Sequence, residues 1–182
     1  MRLSNSPSGP WSPAEPYSAT KANWDLSNTT YGGNSNPGIK TVYVEYKDNV
    51  QNEWSNPFSY QIYYQPVQPF PFTDDFSNEK GWFGYEPGGW ERLPALPGGG
   101  ENGYPDPGID YSSSGDNYLL GFAIGADYPN DMEEKWIVSP PVDCSGQDQV
   151  FLKFRRYLNV EGNEFAHARI YISVNSMDWT QV

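Results

Sequence analysis

Histidine and cysteine are almost missing from this 182-residue chain, which carries one of each, His167 and Cys144. A single cysteine excludes an internal disulfide. No zinc-ligand spacing, phosphate-binding loop or serine–histidine–aspartate arrangement occurs. Cations are scarce as well: eleven Lys plus Arg stand against 23 Asp plus Glu, a formal charge of −12. That balance speaks against nucleic acid and anionic membrane surfaces as partners, because both need clustered positive charge. It suits a well-solvated surface, and equally oxygen-seeking cations such as calcium. No apolar run is long enough to span a bilayer, so membrane insertion is not expected. The opening residues Met1-Arg2-Leu3-Ser4-Asn5 lack the apolar stretch of a secretion signal, so an exported protein would carry its signal outside this chain. Long helices are disfavoured too, since 18 Gly and 17 Pro are spread along the length.

What is present is aromatic. Phe, Trp and Tyr make up 16% of the residues, and each ring can bury a large area, so a core is attainable with few aliphatic residues. Where Gly and Pro thin out, the side chains alternate with period two. Val42, Val44 and Tyr46 point one way and Thr41, Tyr43 and Glu45 the other. Phe58, Tyr60, Ile62 and Tyr64 alternate with Ser59, Gln61 and Tyr63. The same holds for Val150, Leu152, Phe154 and Leu158, and for Ala168, Ile170, Ile172 and Val174. Such alternation predicts half-buried antiparallel strands, and no segment shows a helical face, so the class is all-β.

Three prolines fall within the segment Gln65–Pro71. Proline stiffens an extended chain and cannot donate to a ladder, so this stretch reads as a linker between residues 1–64 and residues 72–182. Asp48-Asn49-Val50-Gln51-Asn52 has the composition of a hairpin turn. Asn28 to Gly38 reads as a long loop, and so does the stretch from Pro94 to Gly115, rich in Gly, Pro, Asp and Ser. A loop as long as the second is usually functional or mobile.

Two resemblances rest on ordered motifs. Residues 2–64, with Arg2-Leu3-Ser4-Asn5, Trp11-Ser12, Glu15-Pro16-Tyr17, Lys40-Thr41-Val42-Tyr43-Val44 and Lys47-Asp48, resemble the immunoglobulin-like repeats of bacterial surface proteins. Residues 73–182 resemble a jelly-roll module in the style of MAM domains from bacterial secreted proteins. The motifs are Asp75-Phe76, Gly81-Trp82, Gly89-Trp90-Glu91-Arg92, Gly115 to Gly121, Asp127-Tyr128-Pro129-Asn130, Ser139 to Gly146 and Tyr157 to Glu161. These resemblances imply two β-sandwich modules, an immunoglobulin-like one and then a jelly roll, joined by the proline-rich tether. Against the family patterns the first module lacks leading strands and the second lacks closing ones, so both are expected to be incomplete. Leu93-Pro94 departs from the jelly-roll pattern, in which a small residue usually follows the arginine.

The resemblance further implies an extracellular or cell-surface location and a role in adhesion, substrate targeting or spacing, with a glycan or an extracellular protein as partner. Two alternatives stand beside it. One is an accessory region of a secreted protease or glycoside hydrolase whose catalytic domain lies outside this chain. The other is a purely structural stalk. Jelly rolls of this kind often hold a structural calcium between the first strand and a loop. The matching positions are Asp75, Asp110, Asp116 and Asp143, although aspartate also favours turns for its own sake.

No catalytic residue is expected. His167 alternates out of a predicted strand with no nucleophile in a recognisable context, and Cys144 has no basic neighbour to activate it. Asp74/Asp75 and Glu133/Glu134 are adjacent pairs, and neighbours in a strand face opposite ways, unlike the two carboxyls of a glycosidase. Among the rings Trp82, Trp90, Tyr85 and Tyr118, the two tryptophans are expected in the core. Tyr104 and Tyr111, set among Pro, Gly and Ser, are the candidates for ligand binding.

Overall fold

The computed structural model describes residues 1–182 except 102, 161, 163 and 164. It is an all-β arrangement of small sheets, and the one helical element among the described residues is a 3-10 turn at Thr29–Tyr31. The chain divides into two compact units. Unit 1 comprises Met1–Thr73, Glu79–Phe83 and Ile137–Gln147, and unit 2 comprises Asp74–Asn78, Gly84–Trp136 and Asp148–Val182.

Unit 1 is built on a three-stranded antiparallel sheet of β1 (Arg2–Ser4), β2 (Gly38–Glu45) and β3 (Phe58–Tyr64), with β2 in the middle. The β-branched and aromatic run Thr41-Val42-Tyr43-Val44 suits a pleated surface. It pairs with Phe58 to Gln61 on one side and with Leu3 and Ser4 on the other, the register placing Val44 opposite both Phe58 and Leu3. The hairpin is closed as the Asn-rich turn predicts. Lys47 bridges Trp54, and the Asp48 carboxylate accepts from the Val50 amide at 2.7 Å and the Gln51 amide at 3.3 Å.

The Arg2-Leu3-Ser4-Asn5 segment is the best-packed part of the molecule. Leu3 is 5% exposed and Ser4 is fully buried. The Leu3 amide donates to Ser12 Oγ (3.0 Å) while its carbonyl accepts from the Ser12 amide (2.8 Å), so Trp11-Ser12 lies along the outer side of β1. Arg2 bonds the buried Glu45 at 2.7 Å through Nε and at 2.6 Å through Nη2. The faces of Trp11 (5.0 Å) and Trp54 (4.2 Å) flank its guanidinium. Asn5 accepts from the Trp24 indole at 2.7 Å, and Trp24 stacks on Tyr31.

Residues 65–71 carry β4 (Gln68–Pro69), which runs parallel to β7 (Val142–Asp143) within unit 1. Gln65 also donates to the Gly81 carbonyl at 2.8 Å. The stretch expected as a tether is therefore held by ladder and side-chain bonds, with Pro69 in a two-residue strand where its missing N–H leaves little unpaired. Gly81 sits at φ +95, and a Cβ there would lie 3.1 Å from the Pro37 side chain, which makes the position specific to glycine.

Unit 2 has two separate hairpin pairings. β5 (Trp90–Pro94) pairs antiparallel with β6 (Tyr118–Phe122), and β8 (Tyr171–Ile172) with β9 (Thr180–Gln181). Arg92 in β5 donates to the carbonyls of Phe76 (2.7 Å) and Ser77 (3.3 Å) and lies over the Tyr118 ring, so the Trp90-Glu91-Arg92 motif fixes the Asp75-Phe76 turn. Trp90 meets Phe122 edge-on and is half-buried, as Trp82 is in unit 1.

Two strand expectations fail here. Val150–Leu158 forms no ladder, and of the segment from Ala168 to Val174 just Tyr171–Ile172 is paired by strand. Alternation states which residues would share a face; a strand also needs a partner edge, which is non-local and invisible to a local pattern.

Candidate functional site

The long loop from Pro94 to Gly115 in unit 2 is ordered by a lattice of local bonds. The Asp106 amide donates to the Gly98 carbonyl (2.8 Å), the Gly100 amide to the Asp127 carboxylate (2.9 Å) and the Gly125 amide to the Asp106 carboxylate (2.9 Å). Asn117 is the hub. Its side-chain oxygen accepts from the Asp110 amide (2.8 Å), its Nδ2 donates to Gly108 O (3.1 Å) and Ala95 O (3.3 Å), and its carbonyl accepts from the Ala95 amide (2.7 Å). Asn117 has φ 65, a left-handed conformation that asparagine adopts more readily than most residues. That role was missed in the sequence, although asparagine next to Gly-Asp is a signal for it.

Both predicted rings lie on the surface of this loop: Tyr104 is 77% exposed and Tyr111 is 72% exposed. Each is held from one stretch of chain. Arg155 stacks its guanidinium 4.4 Å from the centroid of Tyr111, and Asn159 donates to the Tyr104 carbonyl at 2.5 Å. Between them the Tyr157 hydroxyl donates to Pro105 O at 3.2 Å. Residues 155, 157 and 159 thus rest against the loop from one side of an extended chain, which gives Tyr111 a cationic face on an otherwise acidic protein. Glu161, the last residue of the Tyr157–Glu161 motif, lies outside the described residues.

The four aspartates expected to gather around calcium are engaged locally. Asp75 accepts from the Ser77 amide (3.1 Å) and Asp143 from the Ser145 amide (3.0 Å). Asp110 accepts from the Ser112 amide (3.2 Å) and hydroxyl. Asp116 accepts from the Ser114 hydroxyl (2.7 Å) and the Tyr118 amide (3.1 Å). Asp25 repeats the pattern with Ser27 in unit 1. Aspartate followed two residues later by serine is thus a recurring turn device in this chain. Asp143 belongs to unit 1 and the other three to unit 2. Among the described residues no group of three or more His, Cys, Asp or Glu side chains is placed to hold a metal ion.

These bonds also set acidity. The Ser114 hydroxyl and then the Tyr118 amide hold Asp116 below the usual aspartate value. The hydroxyl and amide of Ser145 do the same for Asp143, as those of Ser27 do for Asp25. In unit 1, burial and the nearby Glu79 charge push the Tyr63 phenol up, while its hydroxyl donates to the Trp82 carbonyl at 2.8 Å.

The groups weighed for chemistry are spread out. His167 is exposed, with no carboxylate bonded to it among the described residues, and Cys144 is a half-buried free thiol. Asp74 and Asp75 each cap a turn, accepting from the amides of Phe76 and Ser77, and Glu134 lies 3.6 Å from Arg169.

A second concave feature lies in unit 1. A cleft of about 260 Å³ opens on the apolar face of the β1–β3 sheet, lined by Met1, Leu3, Val42, Val44, Tyr46, Phe58 and Tyr60 and bordered by Ser18–Lys21. Tyr17, Tyr46 and Phe58 form a row with ring centroids 5.7 and 5.8 Å apart. Phe58 and Tyr60 are exposed at this cleft. No protein-family model matches the chain, and neither a curated protein nor a solved structure matches it.

Proposed function

We propose that the chain is a non-catalytic recognition and spacer region of a secreted or cell-surface bacterial multidomain protein, and that it binds a glycan or protein partner through the Pro94–Gly115 loop. The two-sandwich organisation suggested by the immunoglobulin-like and MAM-like resemblances belongs to the same reading. One observation carries it. Two tyrosine rings stand exposed on a loop whose backbone is hydrogen-bonded at Tyr104 and Pro105 and whose Tyr111 ring is stacked by Arg155, a pre-organised aromatic surface that loses little entropy on binding. Tyrosine offers an apolar face to a sugar ring and a hydroxyl at its tip, which suits recognition better than chemistry. The turn-bound aspartates shape the loops in this reading, and no proton-transfer role is assigned to them.

The test is a glycan array and matrix-protein panel probed with the intact chain and with the Tyr104→Ala/Tyr111→Ala double variant. The reading requires binding by the former and its loss in the latter, with an unchanged circular dichroism spectrum. Absence of binding to any glycan or matrix protein would favour the structural stalk.

A further inference from the structure

The segment Val150–Leu158 has the make-up of a strand and none of its bonds. It contains no turn or bend, and among the described residues no backbone amide or carbonyl from 150 to 158 makes a hydrogen bond. It is not a loose tail, because Arg155, Tyr157 and Asn159 fasten one side of it to the tyrosine loop. Alternation then puts Leu152, Phe154, Arg156 and Leu158 on the other side. Leu152 is 66% exposed and Phe154 54%, with Leu158 exposed alongside them. The result is a tethered strand edge with an uncovered apolar row, the arrangement that templates pairing with another strand.

Charge identifies the occupant. Lys153, Arg155 and Arg156 are three of the eleven cations in a chain of formal charge −12, and they fall within four consecutive residues. Neither Lys153 nor Arg156 meets a carboxylate among the described residues. A second copy pairing through this same segment is disfavoured. In an antiparallel register centred on residue 153, 155 or 156 a cation opposes itself. A register centred on 154 sets Lys153 against Arg155, and like charges directly opposite are destabilising. Nucleic acid is repelled by the rest of the chain.

We infer that Val150–Leu158 is a strand-addition site for an extended polypeptide segment whose apolar residues cover Leu152, Phe154 and Leu158 and whose carboxylates, on the opposite face, meet Lys153. Main-chain bonds supply the attachment and Lys153 selects the partner, as in other sheet-edge recognition. The proposal does not rest on sugar binding by the tyrosine rings, and a chain that binds no glycan still tests it.

The experiment measures fluorescence anisotropy of a labelled peptide of alternating valine and glutamate titrated with the 182-residue chain. The alternating valine–lysine peptide, a backbone N-methylated valine–glutamate peptide and plain polyglutamate serve as comparisons. Binding is expected for the first alone. Lys153→Glu should weaken it about tenfold, while the circular dichroism spectrum of this exposed variant stays unchanged. Equal binding of the N-methylated peptide or of polyglutamate would overturn strand addition, and so would indifference to the charge reversal or no binding at all. A concentration-dependent dimer in sedimentation, abolished by Leu152→Asp, would overturn it in favour of self-pairing.

Discussion

The β2–β3 hairpin in unit 1 and Val150–Leu158 in unit 2 carry the same two-residue alternation of apolar and polar side chains, yet one is a seven-pair ladder and the other is unpaired chain. The difference lies in what sits next to each. β2 meets β3 through a short turn capped by Asp48, and β1 completes its other edge with the buried Leu3 and the Arg2–Glu45 pair. Among the described residues Val150–Leu158 has no such neighbour on either edge. It settles instead with Arg155, Tyr157 and Asn159 against a loop, which satisfies three polar side chains and leaves the apolar row outward. An alternating segment therefore specifies two faces, while the partner strand decides which face is buried.

That comparison can be broken most forcefully at Glu45. The carboxylate is buried and bound to a half-buried guanidinium, so Glu45→Ala leaves a charge unpaired beside two indoles and should cost about 3 kcal/mol. Urea unfolding followed by tryptophan fluorescence measures it, and a loss below about 1 kcal/mol would mean that the pair does not hold β1 in place.

Leucine truncation sharpens the contrast. Leu3→Ala removes a buried side chain and should cost about 2 kcal/mol. Leu152→Ala and Phe154→Ala, on the open row, should stay within about 0.5 kcal/mol in the same urea titration. Equal losses at Leu3 and Leu152 would place both in packed environments and erase the distinction.

The smallest effect is expected from acid. Asp25 in unit 1 and Asp116 and Asp143, one in each unit, have folded-state acidities shifted below the usual aspartate value by serine hydroxyls and backbone amides. A lowered folded-state pKa contributes stability that is complete above the unfolded value of about 4 and is lost as pH falls through the lowered one. Thermal melts should hold steady down to about pH 4 and decline below it. Because these carboxylates are exposed, Asp116→Asn should lower the neutral-pH melt slightly and flatten that decline, the two proteins converging at the acid end.

The legible parts of this protein are those set by neighbours in sequence. Val42-Tyr43-Val44 and Phe58 to Tyr64 announced their hairpin, Asp48 to Asn52 its turn, and Tyr104 and Tyr111 their exposure through the Pro, Gly and Ser around them. The pairing of Gln68–Pro69 with Val142–Asp143 was not legible, because about seventy residues separate the partners and no local pattern encodes a contact that distant. Nor was the hub role of Asn117, which depends on three loop groups converging on one side chain. The turn bonds of the aspartates were half legible: aspartate favours turns, but which group it accepts from, the serine two residues on for Asp75, Asp110 and Asp143 and the Tyr118 amide for Asp116, is set by the local backbone.

Amide hydrogen exchange on the intact chain, read by mass spectrometry with and without the valine–glutamate peptide, addresses the contrast between the two alternating segments most directly. Amides of Lys40–Val44 and Ser59–Tyr63 should be protected in both samples. Those of Phe151–Leu158 should exchange at the rate of open chain when free and become protected when the peptide is present. Protection of Phe151–Leu158 in the free chain would contradict the account.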